Sequence, residues 1–172
     1  YPEGSMLIKT RKIHCPHCAK RQGGRFDAIV QIRIQHDRDI DRLKDVMQTV
    51  IAIEKKSNQE NLNNFISKIE KTTNGYDLKV STNSMARTFE NKLRSKFPFE
   101  VKYSKRLMGI NSENGSRQYR HSILLRLIPV KKGDQIKFDG FDYHVKRVTQ
   151  KKVILKDLYS NKIHHEKFES FQ

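Results

Sequence analysis

Cys15-Pro16-His17-Cys18 is the one stretch of this sequence whose residue types stand at metal-ligand spacing. Two thiolates two residues apart form a knuckle with the bite that tetrahedral zinc accepts, and a structural zinc site takes four ligands. The chain contains no other cysteine to supply a second pair. His14 and His17 stand too close to the knuckle to act freely as the missing ligands, and His36 is distant in sequence. Cys15 and Cys18 therefore read as half of a zinc site whose partner ligands would belong to a module upstream. No cofactor is expected in this chain alone. A thioredoxin-like redox pair fits less well, because the motif is not expected to follow a strand and open a helix.

Other chemistry is sparse. There is no Gly-x-Ser-x-Gly, no glycine-rich phosphate loop ending in Lys-Ser or Lys-Thr, and no His-Glu-x-x-His. Gly23-Gly24 lacks the phosphate-loop pattern and reads as a joint before a strand. The carboxylates are spread over expected helix faces, where solvation is their ordinary role. His164-His165 stands near the last expected strand and reads as a surface pair. No catalytic residue is assigned, and the expectation is that the protein is not an enzyme.

Charge is the stronger signal. The 172 residues carry 35 Lys and Arg against 19 Asp and Glu, a formal net charge of +16. Residues 100–157 hold a net +8 of that surplus, half of it in a third of the chain. It sits at Lys102, Lys105, Arg106, Arg117 and Arg120, at Lys131 and Lys132, and at Lys146, Arg147, Lys151 and Lys152. A cationic surface releases counterions from a docked polyanion, so these eleven residues are the candidate RNA contacts. A membrane partner is not expected, since no helical stretch combines a Lys-rich face with a Trp-rich or Leu-rich one. No apolar run approaches the ~18 residues of a spanning helix, and no apolar leader opens the chain. With two cysteines in one motif, a disulfide-stapled secreted scaffold is not expected, and the expected location is cytoplasmic. Tyr1 to Ser5, ahead of Met6, reads as a tag remnant.

The elements that would position these groups follow from periodicity. Phe26, Ala28, Val30, Ile32 and Ile34 alternate as a strand with one buried face. Asp39 is placed to cap a helix with Ile40, Leu43, Met47, Val50 and Ile51 on one stripe. Ser57 and Glu60 fit a capping box, which predicts a second helix through Leu62, Phe65, Ile66 and Ile69 that stops at Asn74-Gly75. Tyr76, Leu78 and Val80 alternate as a strand, and Asn83 or Ser84 caps a helix that ends before Pro98. Strands follow at Val101-Tyr103 and Tyr119–Leu127, around a polar turn from Asn111 to Gly115. That order predicts an α/β sandwich, helices over a sheet. After Pro129 and Gly133 helical spacing disappears. Ile136 and Phe138, an Asp139-Gly140 turn, Tyr143, Val145 and Val148, then Val153, Leu155 and Ile163 predict short strands in a small barrel. A domain boundary is expected near 129.

Several strings together resemble one family. Residues 15–33, Cys-Pro-His-Cys through Arg-Gln-Gly-Gly-Arg-Phe-Asp-Ala-Ile-Val-Gln-Ile-Arg, are similar to the joint after the zinc module of the large-ribosomal-subunit export adaptor family, in its archaeal form. That family is also named for nonsense-mediated mRNA decay protein three. Gly75-Tyr76-Asp77-Leu78, Ser81, Ala86 and Leu93 to Phe97 resemble a second block. Tyr119 to Pro129, Gly133-Asp134, Tyr143-x-Val145 and Leu155 to Leu158 resemble a third. The likeness runs in order over residues 11–168, without the family's upstream cysteine pairs. It implies a fold of class α+β in three parts. Residues 1–24 would be the tag remnant and the joint of the zinc module. Residues 25–128 would form an α/β sandwich similar to a ribosomal protein. Residues 129–172 would form a small SH3-like barrel like that of the hypusine-bearing translation factor.

The resemblance also implies partners: the large ribosomal subunit and its rRNA, with the tRNA exit-site region and the ribosomal stalk beside it. Zinc would be bound only with ligands from the absent upstream module. The expected function is a ribosome-binding factor in large-subunit biogenesis or handling, acting through rRNA. The alternative is a general translation or tRNA-binding module without an assembly role. A nucleic-acid-processing enzyme is the third class, since basic α/β proteins include nucleases.

Overall fold

The computed structural model describes residues 10–171 except 14, 150 and 151. The expected tag remnant and Lys151 lie outside the described residues.

Helix α1 (Pro16–Gln22) precedes strand β1 (Ala28–Arg33), whose Ala28, Val30 and Ile32 are buried as the alternation requires. A single 3₁₀ turn over Asp37–Asp39 leads into α2 (Ile40–Glu60). Asp39 does not cap that helix with its side chain. Its carboxylate instead accepts Arg42 Nη1 at 2.9 Å, and the same nitrogen donates to the carbonyl of Ile128 at 2.8 Å. The inward stripe is Leu43, Val46, Val50 and Ile53, whereas Ile40 and Ile51 are exposed. The real stripe advances by three and four residues without interruption, and Ile51 breaks that spacing.

The predicted helix from Ser57 to the stop at Asn74-Gly75 is not formed. Ser57 is buried inside α2, which runs on to Glu60, and Ile66–Thr72 is strand β2. β2 pairs antiparallel with β3 (Gly75–Val80) across a tight turn at Thr73-Asn74. Gly75 is required by proximity: a Cβ there would lie 1.9 Å from the carbonyl oxygen of Ile32 on the adjoining β1. Helix α3 (Asn83–Lys96) is capped one residue earlier than expected, by Thr82, whose hydroxyl accepts the Met85 N–H at 3.1 Å. It ends at Phe97, before Pro98.

β4 (Phe99–Ile110) and β5 (Arg117–Leu127) form one long antiparallel hairpin. The sheet order is β2-β3-β1-β5-β4, with β1 and β5 parallel. Its inner face packs against α2 and α3 through a core that includes Val30, Leu78, Phe89, Leu93 and Leu125. The architecture is thus mixed α+β with two sheets.

The second sheet is an antiparallel meander of β6 (Gln135–Phe138), β7 (Phe141–Val148), β8 (Lys152–Asp157) and β9 (Ile163–Lys167). Asp139 and Gly140 both have positive φ, 50° and 82°, as the predicted two-residue hairpin turn requires. Ile128, Val130, Tyr143, Val145, Val153, Leu155 and Phe168 form a separate apolar cluster on this sheet. Among the described residues β6 and β9 are each paired on one side only, so the sheet is open and the predicted small barrel is not closed.

Candidate nucleic-acid interface

The β4–β5 hairpin outruns the sheet that carries it. β1 pairs with β5 only from Ala28↔His121 to Arg33↔Arg126, whereas β4 pairs with β5 out to Ile110↔Arg117. Beyond His121 the chain is a two-stranded ribbon closed by a turn over 111–116. Its root is fastened to α3, where Tyr103 donates its hydroxyl to the buried carboxylate of Glu90. That bond raises the Tyr103 pKa, with burial adding to it. Glu90 also accepts Arg87 and Arg94, each at 3.3 Å.

The ribbon carries Lys105, Arg106, Arg117 and Arg120, and among the described residues none of them has a carboxylate within 4.0 Å. Lys102 at the root is different, pairing with Glu100 at 3.2 Å. Arg106 stands directly across from Arg120, a like-charge pair that destabilises a ladder when no anion intervenes. Glu113, in the turn, is the one acidic residue between Val101 and Gly133. Aromatic rings accompany the cations. Lys105 Nζ lies 5.0 Å from the Tyr119 ring centre, and Arg120 Cζ lies 4.0 Å from that of Phe26. Leu107, Met108 and Ile110 are exposed on the same ribbon, which shows a bulge between Leu107 and Gly109.

The other predicted cations fall elsewhere. Arg117 and Leu127 are ten residues apart on β5, so the far end of that strand lies about 33 Å from the ribbon tip. Lys131 and Lys132 follow that far end, where the Asp134 carboxylate accepts the Lys131 backbone N–H at 2.7 Å. Asp41 is held below the usual carboxylate range by a hydrogen bond from Lys44, then by the Lys44 and Lys131 charges. Arg147 and Lys152, at the ends of β7 and β8, line a cleft of about 590 Å³ with Arg94 and Lys96 of α3. Lys146 is exposed at a bulge in β7. Arg94 and Lys96 were not singled out from sequence, because only tertiary structure brings the end of α3 to the β7–β8 turn.

Cys15 is the N-cap of α1, so the motif does open a helix, and both thiols are exposed. Backbone N–H groups of Cys18 and His17 lower the Cys15 pKa, while the hydrogen bond and charge of Cys15 raise that of Cys18. His17 faces Asn63 at 3.1 Å. Among the described residues no third His, Cys, Asp or Glu joins the two thiols in a group that could hold a metal. The described residues do not by themselves fit a four-ligand zinc site.

Fold and charge together define a strongly basic α+β protein whose main sheet extends a cationic ribbon, with no carboxylate partner for its Lys105, Arg106, Arg117 and Arg120 among the described residues. A family model described as NMD3, second domain, matches residues 25–127. The chain belongs to the NMD3 family, the family of large-ribosomal-subunit export adaptors. No curated protein matches the sequence.

Proposed function

We propose that this protein is a ribosome-binding factor that acts in biogenesis or handling of the large subunit by contacting rRNA through the β4–β5 ribbon. The observation that carries the reading is the placement of Arg106 opposite Arg120, with Lys105 and Arg117 beside them and no acidic partner among the described residues. A phosphate backbone would relieve that repulsion, and a two-stranded ribbon can enter RNA where side chains and exposed backbone meet phosphates and 2′-hydroxyls. Membership of the NMD3 family supports the large subunit as the source of that RNA.

In this reading the protein binds and does not catalyse, and it works in the cytoplasm. Residues 25–128 serve as the ribosomal-protein-like sandwich. Residues 129–172, with their short strands and tight turns, serve as the counterpart of the small SH3-like barrel. The tRNA exit-site region and the stalk are the proposed neighbourhood. Cosedimentation with purified large subunits tests the reading. Arg106→Glu with Arg117→Glu is expected to lower the bound fraction without lowering Tm. Unchanged cosedimentation would show that the ribbon is a solvated edge.

A further inference from the structure

We infer that a notch beside the root of the ribbon is a stacking site for one unpaired nucleotide of RNA. The inference rests on the RNA-binding reading above and deepens it. Because the β1–β5 ladder begins only at Ala28↔His121, residues 24–27 run past residues 117–120 outside the ladder. Between them lies a cleft of about 540 Å³, lined among others by Arg25, Phe26, Asn83, Gln118, Tyr119 and Arg120.

Three features of that cleft point to a nucleotide. Phe26 is flanked by two cations, Arg120 at 4.0 Å and Lys79 at 5.3 Å from its ring centre, and Tyr119 by one, Lys105 at 5.0 Å, so the outer faces of Tyr119 and of the Arg120 guanidinium are the planes a base would meet. Nucleobases stack on aromatic rings and on guanidinium planes alike. The Nε of Arg120 is buried and has no acceptor among the described residues. Contact with Phe26 holds the guanidinium, so that its terminal N–H groups, and not the buried Nε, are the donors a phosphate or a base edge can reach. Arg25 adds a second guanidinium, loosely paired with Asp27 at 3.9 Å, and the carboxamides of Asn83 and Gln118 supply both donors and acceptors.

Duplex RNA presents phosphates and 2′-hydroxyls but keeps its bases stacked on one another, so it cannot fill a stacking notch. An acidic peptide would meet the two arginines and leave the rings unused. The combination selects a splayed-out, single-stranded nucleotide. The ribbon flanks then hold the neighbouring backbone by charge.

The test compares affinities of the full chain for a short unstructured RNA and for a blunt duplex of equal length, by fluorescence anisotropy. Tyr119→Leu and Arg120→Lys are each expected to weaken single-strand binding about tenfold while leaving duplex binding unchanged. Tyr119→Phe is expected to restore it. Arg120→Lys keeps the charge, so its effect isolates the planar group. Gln118→Ala, at an exposed position, should lower discrimination among bases with no change in Tm. Equal losses on both RNAs, or no loss on either, would overturn the stacking site. Wild-type protein that binds neither RNA nor large subunits would overturn the ribosome-binding reading and this inference together. Binding of both RNAs with single-strand affinity unmoved by the two variants would overturn this inference alone.

Discussion

The phenol of Tyr103 on β4 donates to the carboxylate of Glu90 on α3, a group only 3% exposed. Through this bond a helix in the core holds the strand that carries the ribbon. Arg87 reinforces it, its guanidinium carbon 5.0 Å from the Tyr103 ring centre while it also pairs with Glu90. Tyr103→Phe is expected to reduce stability by about 1 kcal/mol, the net worth of a partly exposed hydrogen bond. Faster amide exchange along Ser104 to Leu107 should accompany the loss. The pH dependence has a definite sign. The folded phenol holds its proton more tightly than the unfolded one, because it donates a hydrogen bond to Glu90, with burial and the Glu90 charge adding to the effect. The contact's stabilisation is full below about pH 10 and is lost as pH rises above it. Alkaline melts of wild type and Tyr103→Phe should therefore converge. Curves that stay parallel through that range would show the bond contributes nothing.

Gly75 is expected to tolerate no side chain. A Cβ at 1.9 Å from the Ile32 carbonyl oxygen and 3.1 Å from the Arg33 Cα meets the β1 backbone, which cannot yield without breaking the β1–β3 ladder. Gly75→Ala should cost about 3 kcal/mol or more, read as a large drop in Tm or a failure to fold. Gly115→Ala, in open space at the ribbon turn, should cost much less despite its positive φ, and it serves as the comparison.

Much of this architecture could be read from residue spacing, and its failures have physical causes. β1 was legible because Ala28, Val30 and Ile32 alternate strictly in a half-buried strand. The Asp139-Gly140 turn was legible because two successive positive φ values favour those residues. The region 57–72 was misread because Phe65, Ile66 and Ile69 fit a helical stripe as well as a strand. Ser57 with Glu60 imitates a capping box inside a continuing helix. Pairing with β3 decides the matter, and pairing is tertiary. The cationic segment was equally legible, but not its division. The register alone places Arg106 against Arg120, and only folding brings Phe26 under Arg120 and Arg94 beside Arg147.

The cysteine pair allows a clean separation of roles. α1 buries none of its residues, and its ties to the body include His17 to Asn63, Arg21 to Glu54 and Arg21 over the Phe65 ring. Replacing Cys15 and Cys18 with Ser in this chain is expected to change stability by no more than about 0.5 kcal/mol and to leave RNA affinity unchanged. Metal analysis of the dialysed wild-type chain should find well under one zinc per molecule, since two thiols are half of a tetrahedral set. One tightly held zinc per chain would show that further ligands are recruited, and pairing of two chains through their knuckles would be the first arrangement to examine.

The placement of the cations makes the salt dependence of RNA binding depend on RNA length. Each phosphate contact that is lost should lower the slope of log affinity against log salt by about 0.9 for duplex or 0.7 for single strands. The ribbon tip and the Lys131-Lys132 turn lie at opposite ends of β5, about 33 Å apart by strand rise. An RNA shorter than that span can engage one group at a time, whereas a longer one can bridge both. Arg106→Gln with Arg117→Gln should therefore flatten the slope for short and long RNAs alike. Lys131→Gln with Lys132→Gln should flatten it only for RNAs long enough to reach from the ribbon to the far end of the strand. Affinity measured from low to moderate salt on a series of RNA lengths reads this directly. Equal effects of the two double variants on the shortest RNA would show that the Lys131-Lys132 turn is a primary contact in its own right. A slope near zero at every length would replace phosphate contact by stacking as the source of affinity.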